Sequence, residues 1–193
     1  MTRIGFIRHG STAWNKERRA QGNTDIPLDE EGLLQASMLA ARLSNEEWDV
    51  IYSSDLLRAK QTADIIGEKL QNIPIHYEMR LREASGGQIE GTTEKERIEK
   101  WGPNWRELDL GIEKADNVVK RGIPIFEEIS KKHDSKNILI VSHGAFITHL
   151  LKELVPHLAQ KESLNNTSLT KLIKENQGWE CELFNCTRHL DKR

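Results

Sequence analysis

The sequence predicts an α/β protein, a three-layer sandwich in which helices cover both faces of a mostly parallel central sheet. Short apolar runs of strand length alternate along the chain with longer segments whose apolar residues recur three and four positions apart. This alternation is typical of parallel α/β sheets. The clearest strand, residues 137–142, is a continuous apolar run of the kind found in a central strand covered on both faces.

The order of the elements follows from the hydrophobic period and from the turn residues between segments. The predicted strands span residues 3–9, 49–53, 137–142, 168–174 and 179–184. The predicted helices span residues 31–43, 56–70, about 113–132 and 144–155, with a further short helix between 92 and 110. Pro74 indicates that the extended piece starting at residue 73 is an edge strand or a strand entrance. Three glycines mark residues 81–91 as a loop, and the last two strands are expected to form a hairpin.

Composition favours a single domain and excludes several classes of partner. A chain of 193 residues with 37% hydrophobic and 30% charged residues can bury one substantial core. Its 28 basic and 30 acidic side chains leave a net charge of −2, so no global field attracts nucleic acid or an anionic membrane. Cys181 and Cys186 lack the spacing and the further ligands of a zinc site or a disulfide framework. We therefore expect no nucleic-acid or membrane partner.

Neither the N-terminal stretch nor the most apolar later segment has the pattern of a targeting or membrane segment. Arg3 and Arg8 interrupt the N-terminal apolar stretch, which has no small-residue cleavage site and so does not resemble a secretory signal. The later apolar segment, residues 138–155, contains Lys152 and Glu153 and is unsuited to crossing a membrane. We expect a cytoplasmic protein.

Basic and acidic side chains follow the predicted strands at the points where the strands end. Arg8 and His9 close the first strand, Arg58 follows the second by a short turn, and His143 follows the central one. Because ligands bind beyond the carboxyl ends of parallel strands, these side chains should surround one pocket, with Glu83 of the glycine-rich loop. Arginines match phosphate oxygens, an imidazole can attack phosphorus, and a carboxyl group can protonate the leaving alcohol. This combination indicates phosphoryl transfer.

Five sequence blocks carry a resemblance to a known family. Residues 7–15, Ile-Arg-His-Gly-Ser-Thr-Ala-Trp-Asn, resemble the signature of the histidine phosphatase superfamily, also called the phosphoglycerate mutase-like family. The further blocks follow in the same order as in the family, at residues 21–32, 53–63, 81–91 and 141–144. Together they span roughly residues 3–155. The resemblance implies the phosphoglycerate mutase-like version of the predicted sandwich.

The resemblance also implies roles for individual residues. His9 would be the nucleophile that becomes phosphohistidine, and Glu83 would be the general acid that later activates water. His143 would join Arg8 and Arg58 in holding the phosphoryl oxygens. Further phosphate-binding positions are implied at Asn15, Gln21, Gly22 and Gly144. No metal or other cofactor is implied, because the arginines supply the positive charge.

Each assignment competes with a structural interpretation. On the first turn of a helix, Arg58 could be a solvated side chain or a partner of Asp55. Arg82 and Glu83 could be a plain surface pair, and Glu90 lies near enough in sequence to compete for the role of the acid. Trp101 and Trp105 are interpreted as core or lid packing, rather than as surfaces that bind substrate.

Departures from the family pattern bear on the type of reaction. The paired glycines Gly86 and Gly87 resemble those of mutases. Residues 85–91 also lack two residues that many phosphatases of the family carry there, an aromatic residue before the glycine and a tryptophan before the final Glu-Gly. Residues 92–142 are, however, shorter than the corresponding part of mutases and contain no adjacent arginine pair for the carboxylate and second phosphate of a sugar acid. Scattered basic residues that could substitute for such a pair are Lys95, Arg97, Lys100 and Arg106.

The sequence therefore predicts a phosphatase that hydrolyses small phosphomonoesters through a phosphohistidine, with broad specificity. The alternatives are a cofactor-dependent phosphoglycerate mutase, an α-ribazole phosphatase and a non-catalytic module that binds phosphorylated ligands. We expect one domain over residues 1–193, in which residues 84–112 form a lid-like insertion. A monomer and a homodimer both fit the sequence.

Overall fold

A six-stranded sheet forms the centre of the molecule in the computed structural model, which describes residues 1–71, 73–158, 163–176 and 178–191. The strands are β1 (Arg3–Arg8), β2 (Val50–Ser53), β3 (Ile75–Tyr77), β4 (Asn137–Ser142), β5 (Leu169–Glu175) and β6 (Gly178–Cys186). They lie in the order β3-β2-β4-β1-β5-β6. The first four are parallel to one another, whereas β5 pairs antiparallel with β1, and β6 pairs antiparallel with β5. The predicted mostly parallel sheet is confirmed.

Helices cover both faces of this sheet. They are α1 (Ala13–Lys16), α2 (Glu30–Leu43), α3 (Leu57–Lys69), α4 (Glu94–Trp101), α5 (Ala115–Lys132) and α6 (Gly144–Leu154). Successive strand side chains point to opposite faces, so Phe6 packs in the core against α5 and α6, and Ile7 packs in the core against α2 and α3. The predicted three-layer α/β/α sandwich is confirmed.

The predicted elements agree with the observed ones to within a few residues. Pro74 precedes β3, which lies at the edge of the sheet. The Pro74 carbonyl accepts a hydrogen bond from the Ile51 N–H. The predicted loop at 81–91 contains a 3-10 turn at residues 87–89 and follows another at 79–81. Helix α1 was not predicted, because four residues are too few to show a helical period. Gln177, in the predicted turn of the hairpin, lies outside the described residues.

The loop after β1 lies directly on the first turn of α2. A Cβ atom on Gly10 would lie 2.6 Å from the Gly32 carbonyl oxygen, and one on Gly32 would lie 2.1 Å from the Ser11 carbonyl oxygen. Both positions therefore require glycine. The Asp29 side chain caps α2 by accepting from the Gly32 N–H, and the Asp29 N–H donates to the Ser11 carbonyl at 3.0 Å. These contacts hold the end of β1, where His9 lies.

A small apolar cluster lies within the segment 84–112. Ile89, Trp105 and Leu110 are buried together, and Trp101 packs against them. The Trp105 indole N–H donates to the Glu94 carboxylate at 3.1 Å. The two tryptophans thus contribute to packing, as the sequence indicated, and the lid-like role of the segment stays a prediction. No helix among the described residues is both long and apolar enough to cross a membrane.

Candidate active site

Three strand ends bring the predicted site residues together. His9 follows β1, His143 follows β4, and Arg58 lies on the first turn of α3, which follows β2. The ring centroids of His9 and His143 are 5.2 Å apart. The Arg58 Nε atom lies 3.3 Å from the His9 Nε2 atom. The carboxyl edge of the sheet therefore holds one compact cluster, as the position of these residues in the sequence predicted.

His9 is held as a neutral imidazole with one unprotonated nitrogen, the form that can act as a base or a nucleophile. Its ring is buried, and Nδ1 lies 2.7 Å from the Gly10 carbonyl oxygen. Since a carbonyl can only accept, Nδ1 carries the proton and Nε2 carries a lone pair. Burial, and then the charges of Arg58 and Arg8, hold the pKa of His9 well below its usual value. At neutral pH Nε2 is therefore unprotonated, and in this structure its lone pair accepts a hydrogen bond from Arg58 Nε.

His143 is fully buried beside His9 and carries an unpaired nitrogen. Its Nε2 atom hydrogen-bonds to the Ser54 hydroxyl at 2.8 Å. Its Nδ1 atom has no hydrogen-bond partner among the described residues. Burial, followed by the Arg58 charge, lowers the pKa of His143 well below its usual value. A buried polar atom without a partner costs about 1–3 kcal/mol, so a ligand that supplied one would bind more tightly.

Arg58 is a buried cation that forms no ion pair among the described residues. Its Nη1 and Nη2 atoms donate to the Thr24 and Gly22 carbonyls at 2.9 and 2.7 Å. Among the described residues, no carboxylate lies within salt-bridge distance of it. Burial lowers the pKa of Arg58 to about 10, which still leaves it protonated at neutral pH. Asp55 instead binds Arg82 through two hydrogen bonds of 2.7 and 2.6 Å. The alternative interpretation of Arg58 as a surface residue is wrong.

Arg8 brings a second cation to the cluster. Its Nη1 atom donates to the Leu164 carbonyl at 2.5 Å, and its buried Nε atom has no partner among the described residues. A Cβ atom on Gly144 would lie 3.4 Å from that Nε atom, so glycine keeps the approach to it open. Burial lowers the pKa of Arg8, and the charge of Glu83 opposes that shift. Arg8 therefore also has a donor available to an anion.

Glu83 lies at the N-terminus of α6, next to His143. Its carboxylate accepts hydrogen bonds from the N–H groups of Ala84, Ala145 and Phe146 at 2.9, 3.1 and 2.8 Å. These backbone donors fix the position of the carboxyl group beside the start of α6. Because Arg82 binds Asp55, the interpretation of residues 82 and 83 as a plain surface pair is wrong.

Glu90, the alternative candidate for the general acid, instead binds the main chain of the loop around residues 22–24. Its carboxylate accepts from the N–H groups of Asn23, Thr24 and Gly86 and from the Thr24 hydroxyl, at 2.5–3.0 Å. Gly22 has φ of +50°, and a Cβ atom there would lie 2.0 Å from Glu90 Oε1. Glu90 thereby fixes the two carbonyls to which Arg58 donates. This positioning role of Glu90 was not predicted from the sequence, although an acidic residue next to a glycine-rich loop can indicate that its carboxylate binds main-chain N–H groups.

The amides of two predicted phosphate-binding residues are oriented by Thr12. The side-chain oxygen of Asn15 accepts from the Thr12 N–H at 3.1 Å, and that of Gln21 accepts from the Thr12 hydroxyl at 3.0 Å. Because both amide oxygens are engaged, their NH₂ groups remain as donors. Gly144 is the first residue of α6, and Gly22 faces the site through its carbonyl on Arg58.

Residues just before β5 support the site from behind, and the sequence analysis did not identify them. The Asn166 side chain donates to the His9 carbonyl at 3.0 Å and to the Asn15 side-chain oxygen at 3.3 Å. The Thr167 N–H donates to the Arg8 carbonyl at 2.9 Å. Thr167 has φ of +54°, an uncommon conformation for a β-branched residue. No periodicity in the sequence connects this turn to residues more than 150 positions away.

The chain is similar to proteins of one family over nearly its whole length. The family model described as "Histidine phosphatase superfamily (branch 1)" matches residues 4–187. Uncharacterized phosphatase PhoE of Bacillus subtilis is 33% identical, covering 98% of this chain and 97% of the relative. Phosphoglycerate mutase-like protein 4 of Arabidopsis thaliana is 31% identical, covering 98% and 87%.

A solved structure with a bound ligand is similar in both sequence and fold. Phosphoserine phosphatase from Entamoeba histolytica, in complex with 3-phosphoglyceric acid, has a TM-score of 0.82 and 32% sequence identity. The match covers 98% of this chain and all of that one. Among the described residues of the present chain, no three His, Cys, Asp or Glu side chains form a group that could hold a metal ion.

Proposed function

This chain belongs to the histidine phosphatase superfamily, and we propose that it hydrolyses small phosphomonoesters through a phosphohistidine formed at His9. One observation carries the proposal: the neutral Nε2 atom of His9 lies 3.3 Å from the Nε atom of Arg58, a buried cation that forms no salt bridge with a carboxylate among the described residues. Such a site favours an anion that brings an electrophilic centre to the imidazole. A phosphate ester meets both requirements.

The proposed reaction has two displacement steps at phosphorus. In the first, the His9 Nε2 lone pair forms an N–P bond while the ester P–O bond breaks, and the protonated Glu83 carboxyl group gives its proton to the leaving oxygen. In the second, the Glu83 carboxylate takes a proton from water as the water oxygen attacks phosphorus, and the N–P pair returns to His9. Arg8, Arg58 and His143 hold the phosphoryl oxygens throughout.

Two features bear on the mutase alternative, the glycine pair and the scattered basic residues, and neither supports it. A Cβ atom on Gly87 would lie 2.2 Å from the Leu110 carbonyl oxygen, and one on Gly86 would lie 2.8 Å from the Glu90 side chain. The glycine pair is therefore explained by packing. The basic residues that could hold a sugar acid are occupied by their own segment: Lys95 by Glu99, Arg97 by Thr92 and Glu94, Lys100 by Trp101, and Arg106 by Glu94.

The substrates to test first are three-carbon phosphomonoesters that carry a carboxylate. The Entamoeba relative is named a phosphoserine phosphatase and was solved with 3-phosphoglyceric acid. Phosphoserine and 3-phosphoglyceric acid are both three-carbon molecules with a phosphate at one end and a carboxylate at the other. We propose that this chain accepts such esters among others, with broad specificity. The cytoplasmic location and the monomeric or homodimeric state stay predictions.

The decisive experiment measures phosphate release and isomerisation in the same reactions. The panel contains phosphoserine, 3-phosphoglycerate with and without 2,3-bisphosphoglycerate, α-ribazole phosphate and p-nitrophenyl phosphate. We expect phosphate from several esters, and loss of at least ~10⁴-fold in His9→Ala, because the nucleophile is removed. His157→Ala, which changes an exposed histidine, is the matched control.

Other outcomes identify the alternatives. Rapid isomerisation of 3-phosphoglycerate with little phosphate release would replace the phosphatase with a mutase. Release from α-ribazole phosphate alone would select that specific phosphatase. A biological effect that persists undiminished in His9→Ala would mean that the protein acts by binding phosphorylated ligands.

A further inference from the structure

The main chain around Glu83 is irregular, yet the Glu83 carboxyl group must lie at a defined distance from the leaving oxygen. Residues 82–86 form no helix or strand and lie between two 3-10 turns. The carboxylate is held by the start of α6, but those bonds do not hold the backbone of Glu83 itself. A general acid displaced by about 1 Å loses much of its effect on rate. The contacts that hold this backbone therefore bear on catalysis.

A single guanidinium on α5, that of Arg121, binds three main-chain carbonyl groups of this loop. Arg121 Nη1 donates to the Arg80 carbonyl at 2.8 Å and to the Arg82 carbonyl at 2.9 Å. Its Nη2 atom donates to the carbonyl of Glu83 at 3.0 Å. A planar guanidinium presents its donors in a rigid fork, so these bonds fix the relative positions of the carbonyls.

Glu113 completes the arrangement on the other side of Glu83. Its carboxylate binds Arg121 at both ends, with Nε to Oε1 at 2.9 Å and Nη2 to Oε2 at 3.0 Å. The same carboxylate accepts from the Ser85 N–H at 3.0 Å, and the Glu113 N–H donates to the Ser85 carbonyl at 2.9 Å. The ion pair thus holds the backbone on both sides of Glu83.

Burial makes this pair stiffer than an ordinary surface ion pair. The side chains of Arg121 and Glu113 are only 24% and 18% exposed. The guanidinium also lies over the Phe146 ring, 5.1 Å from its centre, and the Phe146 N–H is one of the donors to the Glu83 carboxylate. The main chain of Glu83 is therefore held by α5 and its side chain by α6, and these two helices pack against each other.

We propose that Arg121, together with Glu113, is a positioning residue that sets the distance between the Glu83 carboxyl group and the leaving oxygen. The inference rests on the proposed function, in which Glu83 protonates that oxygen. Arg121 touches neither the phosphate nor the reacting atoms in this scheme, and acts only through Glu83. Its removal must therefore impair proton transfer to the leaving group while leaving attack by His9 unchanged.

The dependence on leaving group separates this role from a merely structural one. Phosphoserine has an alkoxide leaving group that needs a proton, whereas p-nitrophenyl phosphate has a leaving group that departs without one. Because general acid catalysis contributes about 10²–10⁴-fold, we expect Arg121→Gln to lower kcat/KM for phosphoserine by roughly 10–100-fold. For p-nitrophenyl phosphate the change should stay within about threefold.

Two further variants test whether Arg121 acts through Glu83. Glu83→Gln should show the same preference for the good leaving group, with a larger loss for phosphoserine. The double variant Arg121→Gln/Glu83→Gln should be no slower than Glu83→Gln alone, because a positioning residue has no effect once the acid is absent. Arg121→Lys keeps the charge but not the fork and should lie between Arg121→Gln and the wild type.

The matched control is Arg80→Gln. Arg80 links the same loop to α5 through Glu128, but by an exposed ion pair, and its substitution leaves the carbonyls bound by Arg121 in place. We expect it to change neither ester by more than about twofold. If Arg121→Gln fails to fold, Arg121→Lys and Glu113→Gln carry the same comparison.

Failure of this inference differs from failure of the proposed function. Equal losses for both esters in the Arg121 variants, or no loss at all, would overturn the positioning role while the wild type remained a phosphatase. Additive losses in the double variant would overturn it as well. A wild-type protein that released phosphate from neither ester would overturn the proposed function, and this inference with it.

Discussion

Arg58 at the carboxyl edge of the sheet and Arg106 in the segment 84–112 carry the same guanidinium in opposite surroundings. Arg106 is largely exposed, binds Glu94 through two hydrogen bonds of 2.8 and 3.0 Å, and stacks over the Trp105 ring. Arg58 is fully buried and donates only to carbonyl oxygens and to His9. Arg106 is in an ion pair within its own segment, whereas Arg58 forms none among the described residues.

This difference shows which region is organised for a ligand. Burying a cation outside an ion pair is costly, and burial lowers the pKa of Arg58 to about 10 against the opposing charges of Glu83, Asp25 and Glu90. An anion that enters the site regains the missing attraction in a region that excludes water. In the segment 84–112 the corresponding attraction already stabilises the fold, so little remains for a ligand there.

The largest expected effect is on catalysis by the two arginines. We expect Arg58→Met to lower kcat/KM for phosphoserine by about 10³-fold, because it removes a donor and a charge from the transition state. Arg106→Met should stay within about twofold, since an exposed ion pair contributes little. Steady-state kinetics on both variants, with circular dichroism to show that each is folded, measures the contrast. Similar losses in the two variants would mean that the segment 84–112 contributes a cation to substrate.

A smaller effect should appear in the stabilisation by inorganic phosphate. At phosphate ten times above Kd, the wild type should gain about 1.4 kcal/mol in free energy of unfolding, because the anion binds only the folded state. For a chain of this size that corresponds to a rise of roughly 3–6 °C in Tm. Arg106→Met should show the same rise and Arg58→Met almost none, with sodium chloride at equal ionic strength as the control. A rise that is retained in Arg58→Met would place the anion elsewhere.

A third effect concerns the pH at which each region loses stability. The pKa of His143 lies below its unfolded value, so the unfolded chain binds the extra proton and stability falls as pH drops below about 6.5. The slope is at most ~1.4 kcal/mol per pH unit for each such histidine. Glu94, whose pKa is lowered by its bonds to Arg106 and Trp105, loses its contribution only as pH falls below about 4.5.

Urea unfolding between pH 7 and 5 tests this order. His143→Gln should reduce the pH slope in that range, because glutamine can hydrogen-bond to Ser54 and does not titrate. Glu94→Gln should leave the slope unchanged there. An unchanged slope in His143→Gln would show that His143 is already protonated in the folded protein, contrary to the neutral imidazole inferred from its burial.

Much of the fold was predictable because its signals are local. The period of residues 31–43 predicts an amphipathic helix, and α2 begins one residue earlier, at Glu30, and ends at Leu43. The apolar run 137–142 predicted a central strand, and β4 lies between β2 and β1. Helix α1, by contrast, is a single turn capped by Thr12 and has no period to detect.

The sequence alone was enough to predict the three-layer sandwich and the cluster of His9, Arg58 and His143. Strand ends are visible as changes in hydrophobic pattern, and parallel strands bring their carboxyl ends to one edge. Only the tertiary structure decided that Glu90 holds a loop and that Arg121 binds the main chain around Glu83. These contacts join a side chain to backbone groups far away in the chain. Every residue but proline carries the same N–H and C=O groups, so no local pattern marks which of them a distant side chain will bind.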